Sequence, residues 1–70
     1  MGDWTPIRIR SLRERLGQTQ AEFADTLGYG APKRISELER GVRDPSGPAK
    51  KLLDYLDAHG LLRGTADDEA

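Results

Sequence analysis

The stretch that decides the fold is "TLGYGAPKRISELERG", Thr26 to Gly41. It opens on a glycine-rich turn, passes through Pro32, and runs into a basic segment that ends at Gly41. Three readings compete: a loop that cradles phosphate, an ordinary connection between core helices, or a turn that aims the helix after it. The first needs a third glycine and a preceding strand. Position 33 is lysine, and the residues before Gly28 show helical rather than two-residue spacing, so a dinucleotide loop is set aside. Ala31 precedes proline and is biased away from helical angles. A helix therefore starts at Pro32, where a missing N–H costs nothing. Ile35 and Leu38 give it an apolar side, and Gly41 stops it.

Working outward, the chain reads as helices throughout. Thr5-Pro6 is a helix start, with Thr5 as N-cap and Trp4 placed to staple onto Ile9. Ile9, Leu12 and Leu16 share one face, and Gly17 closes that helix. Thr19 caps a second helix and Glu22, three residues on, completes a capping box. Its inner stripe is Phe23, Ala24 and Leu27, and Gly28 ends it. "RDPSG" is a turn. Ser46 caps a fourth helix over about Gly47 to Ala58, with Leu52, Leu53 and Leu56 on its apolar side. The expected fold class is all-α, a compact bundle of four to five helices.

Composition narrows the function. A chain of 70 residues without cysteine is one small domain with no disulfide staple. Size makes it marginal alone, which favours a partner or a second copy. No apolar run is long enough to span a membrane and there is no secretory leader, so a cytoplasmic protein is expected. The net charge of −1 is unevenly spread. Residues 1–63 hold all 11 basic side chains against 9 acidic ones; Asp67, Asp68 and Glu69 follow. The expected division is a helical domain over 1–63 and a disordered acidic tail over 64–70. His59 is the sole histidine. The ligand set of a structural zinc site is therefore missing, and no metal or cofactor is expected. Asp54, Asp57 and His59 are close in sequence but do not share one helical face, so no catalytic cluster and no enzyme are expected.

The faces carry the rest. At about 100° per residue, the buried direction of the third helix lies between Ile35 and Leu38. Lys33, Ser36, Glu37 and Arg40 project to the opposite side, with Arg34 and Glu39 on the two flanks. Lysine can donate to guanine and glutamate can accept from cytosine in a major groove. The same mixed charge is also ordinary for a solvated helix face, so position has to carry the reading. Arg13 on the first helix sits at the edge of its apolar stripe, as Glu39 does on the third. Opposite charges at adjoining core margins form a partly buried pair, for which the planar guanidinium is suited.

"LRERLGQTQAEFADTLG" followed by "RISELERG" resembles the Cro/cI-type helix-turn-helix family, the lambda-repressor-like DNA-binding domains. The likeness runs from about Ile7 to Leu56. It implies five short helices, the second and third forming the DNA-binding pair. It further implies that Gln20 touches the DNA backbone and that Arg13 and Glu39 occupy the family's structural ion-pair positions. One departure stands out: "GYGAPK" is one residue longer than the usual family turn, as in some antitoxins and small phage regulators. Counting back from Glu39, the base-reading residues are Lys33, Arg34, Ser36 and Glu37, and Thr19, Gln20, Arg40 and Arg43 lie against the backbone. The implied function is that of a sequence-specific regulator of double-stranded DNA, an autoregulatory repressor acting as a homodimer on a palindromic operator. Leu53, Leu56, Leu61 and Leu62 are the expected dimer contact. The alternative is a protein-interaction module, such as an antitoxin that binds a protein partner.

Overall fold

The computed structural model describes residues 4–60, and four helices lie within them: α1 (Pro6–Arg15), α2 (Gln20–Leu27), α3 (Pro32–Glu39) and α4 (Gly47–His59). Leu61, Leu62 and the tail over 64–70 fall outside the described residues. Each helix starts where local chemistry directs it. The Thr5 hydroxyl accepts from the Arg8 N–H, and Ser46 accepts from the Ala49 N–H. At α2 the capping box is complete: Thr19 Oγ1 accepts from Glu22 N at 3.1 Å, and Thr19 N donates to Glu22 Oε1 at 2.9 Å. α3 differs, because Ala31 caps it with no side-chain bond.

The end of α2 is a Schellman motif. Tyr29 N donates to Ala24 O at 2.8 Å and Gly28 N to Asp25 O at 3.1 Å, with Gly28 at φ +81°. The chain thereby turns sharply through Gly28, Tyr29, Gly30 and the extended Ala31 before α3 begins. Tyr29 packs partly against the core, and its hydroxyl accepts from Ser46 N at a long 3.5 Å. The turn between α2 and α3 is thus tied to the start of α4.

All four helices contribute to one core. Phe23, Ile35 and Leu53 are fully buried, and Ile9, Leu12, Ala24 and Leu38 nearly so. Trp4 and Ile9 lie in the same cluster, as a staple over the α1 entry requires. The core corrects one expectation. Leu53 and Leu56 are 0% and 4% exposed and face inward, so they are spent on the chain's own core rather than on a dimer contact. Turning them to a partner would forfeit about 1.5–3 kcal/mol of burial apiece.

α1 and α4 are also joined at the surface. Trp4 Nε1 donates to Asp54 Oδ1 at 2.8 Å, and the Arg8 guanidinium lies 3.9 Å above the indole ring. Asp57 takes Arg15 at 2.7 Å and Arg8 at 3.4 Å. The Arg15 hydrogen bond, foremost, holds the Asp57 carboxyl below its ordinary value. The two Asp57 pairs are solvent-exposed, so they fix the pairing of the two helices more than they add stability.

Gly28 offers a direct check. A Cβ there meets no atom within 4 Å, so the cost of a side chain is purely conformational. Gly28→Ala is expected to lower urea-unfolding stability by about 1 kcal/mol. Gly47→Ala, at an ordinary helical φ and with equally open space, is expected to cost nothing.

Candidate nucleic-acid interface

Three helices converge on Glu39. Arg13 from α1 approaches it in a two-pronged pair, Nε to Oε2 at 2.6 Å and Nη2 to Oε1 at 3.2 Å. The two side chains are 14% and 7% exposed. The remaining prong of Arg13, Nη1, donates to the Gln18 carbonyl at 3.1 Å. Gln20, the first residue of α2, donates from Nε2 to Glu39 Oε1 at 3.2 Å. The hydrogen bond to Glu39 raises the Arg13 pKa above its already high ordinary value, against the opposing effect of burial. A charge pair this sheltered persists only because nearly every polar atom in it is satisfied. Its effect is to lock the start of α2 and the end of α3 to α1.

The outer side of α3 is then held in a fixed orientation. Lys33, Arg34 and Arg40 are exposed, and Ser36 is half-buried beside them. Among the described residues these three cations enter no ion pair. Glu37 departs from the expectation of a free acceptor. Its side chain is only 15% exposed, and Oε1 accepts from Arg43 Nε at 2.9 Å. That hydrogen bond is the foremost cause of a lowered Glu37 pKa, with lesser contributions from Arg43, Lys33 and Arg34 as neighbouring charges. The carboxylate is therefore already committed within the chain.

The two acids of α3 are thus each neutralised by an arginine, and the uncommitted charge on this side is positive. Thr19 is exposed at the α2 start. Its oxygen accepts the cap bond, which leaves the hydroxyl proton to donate outward. Gln20 spends one amide hydrogen on Glu39 and keeps its remaining polar capacity for another partner. Arg43 is 48% exposed in the loop after α3.

Two of these contacts escape a reading of the sequence. The Gln20–Glu39 bond joins residues 19 positions apart, and nothing local announces it. The Glu37–Arg43 pair spans six residues across the Gly41 turn. The signal available was the glycine stop, which folds the following arginine back toward the helix. The group Gly17, Gln18, Glu22, Asp25 and Thr26 lines an open polar hollow of about 330 Å³. Within it Gln18 and Thr26 satisfy each other at 2.9 and 3.1 Å.

Residues 7–67 match the family described as a helix-turn-helix domain, and the chain belongs to that family. In a helix-turn-helix motif bound to DNA, the second of the motif's two helices is the one that lies in the major groove. The chain is also similar to the type II methyltransferase M.SsoII of Shigella sonnei, with 43% identity over 61 residues. That alignment covers 81% of this chain and 16% of the methyltransferase, so the chain spans a small part of its relative. No solved structure matches.

The Glu39 junction yields a stability prediction. Arg13→Ala strands a sheltered carboxylate and removes the Gln18 contact. Unfolding in urea should show a loss of about 2–3 kcal/mol. A loss below about 0.5 kcal/mol would reduce the pair to a surface contact.

Proposed function

We propose that the chain is a sequence-specific, double-stranded DNA-binding regulator of the Cro/cI type. In this reading α3 enters the major groove, Lys33, Arg34 and Ser36 meet base edges, and Thr19, Gln20, Arg40 and Arg43 meet phosphates. One observation carries it: among the described residues, Lys33, Arg34 and Arg40 enter no ion pair on the outer side of a helix whose own acids are both neutralised. Positive charge free of local partners is what a phosphate-lined groove attracts. The rigid attachment of α2 and α3 through Glu39 supports it further, since base reading requires the helix to arrive in one orientation.

The proposed action is steric repression of the chain's own promoter. A homodimer would place two copies of α3 about one helical turn apart on a palindromic operator. With Leu53 and Leu56 buried, the dimer contact falls on other surface. The similarity to a methyltransferase brings no catalytic step to this proposal, because the aligned part is a small share of that enzyme. A protein-interaction module is the second reading. Its support is the exposure of two large apolar residues, Ile7 at 78% and Val42 at 67%. A few exposed apolar side chains are ordinary on a monomeric protein, so DNA binding remains the better-supported function.

Selection of bound duplexes from a random DNA pool tests the proposal. An enriched inverted repeat is expected; a pool that stays random would overturn it. On the selected operator, Lys33→Ala should cost about 1–3 kcal/mol and relax the preference at one base position. Gln20→Ala should weaken all sequences alike. Unaltered base preference in Lys33→Ala would show that the reading residues are misplaced.

A further inference from the structure

We infer that Glu37 is a positioning residue that aims Arg43 at a DNA phosphate, and not a reader of bases. This rests on the DNA-binding reading of α3 above and goes one step further within it.

Glu37 holds the loop after α3 through both its backbone and its side chain. Its carbonyl oxygen accepts from Val42 N at 3.0 Å and, more weakly, from Arg43 N at 3.4 Å. Its carboxylate accepts from Arg43 Nε at 2.9 Å. One residue therefore fixes both the backbone and the side chain of the loop that leaves α3. The geometry is selective. An arginine gripped by Nε keeps both Nη groups, whose donors match the paired oxygens of a phosphate. Nearly half of the Arg43 side chain is exposed, while that of Glu37 is largely covered. The cation thus faces outward and the anion stands behind it.

Charge explains why an acid is tolerated here at all. A bare carboxylate on a groove-facing helix would meet a wall of phosphates. Bonded to Arg43, with Lys33 and Arg34 also lowering its pKa, Glu37 stays ionised and neutralised. An arginine is a flexible side chain, and ordering it only at the moment of binding opposes association. Glu37 removes part of that cost in advance. Arg43 then acts as a sequence-independent anchor beside the residues that read bases.

A double-mutant cycle on the selected operator tests this. Glu37→Gln preserves shape and removes a negative charge. Simple electrostatics would then give tighter binding, and lost base reading would give an altered preference. Positioning gives a third outcome: affinity falls about ten-fold, as when a charged hydrogen bond is weakened to a neutral one, with base preference unchanged. Arg43→Ala should show a similar loss and a salt slope shallower by about 0.9. In the Arg43→Ala background, Glu37→Gln should cause no further loss. Arg43→Lys keeps the charge but not the Nε grip, and should also bind more weakly. Melting curves for each variant confirm that the fold is retained; if Glu37→Gln unfolds, Glu37→Asp, whose shorter side chain withdraws the carboxylate from Arg43, takes its place, and if Arg43→Ala unfolds, Arg43→Gln does. Tighter or unaltered binding by Glu37→Gln, a changed base preference, or additive losses would each overturn the positioning role while leaving DNA binding intact. If the unaltered chain selects no duplex, the underlying reading falls and takes this role with it.

Discussion

The sheltered contact between Arg13 and Glu39 is the constraint on which the rest of the interface depends. A small helical domain has little core with which to fix the direction of its outer helices. Phe23, Ile35 and Leu53 supply cohesion, but apolar contacts alone are non-directional. The two-pronged ion pair adds direction. It sets the end of α3 against α1, and Gln20 brings the start of α2 to the same carboxylate. The elements proposed to touch DNA are thereby oriented by one sheltered acid.

The α2–α3 turn works with that junction. The Schellman closure at Gly28 makes the reversal, and Ala31 then extends the chain before Pro32 restarts the helix. Tyr29 fills the space over the core and reaches the α4 start. The longer turn is therefore braced by packing, while the phase of Ile35 and Leu38 decides which side of α3 faces out. At the far end of α3, Glu37 and Arg43 repeat the arrangement on the surface. In both places an acid of α3 grips an arginine from another segment, once at the core margin and once at the rim.

Much of this was legible in the sequence because its signals are local. Thr5-Pro6, the Thr19–Glu22 box, Gly28 and Ser46 each set a boundary through bonds within a few residues. The helical phase of α3 placed Lys33 and Arg40 outward, with Arg34 and Glu39 on its flanks. Contacts across the fold were less accessible. Leu53 and Leu56 looked surplus to a small core, yet α4 packs across the other helices and uses both. Glu37 projected to the exposed side, but a projection of one helix cannot register the loop that covers it. Trp4 was read as an apolar staple, whereas its indole also bridges Arg8 and Asp54.

The central claim is that α3, held by Glu39, is the surface that meets DNA. Titrating the isotope-labelled chain with its selected duplex and following backbone amide shifts tests this most directly. The largest changes are expected at residues 19–20 and 33–43, with α4 little affected. Changes concentrated on α4, or spread evenly over all four helices, would contradict it.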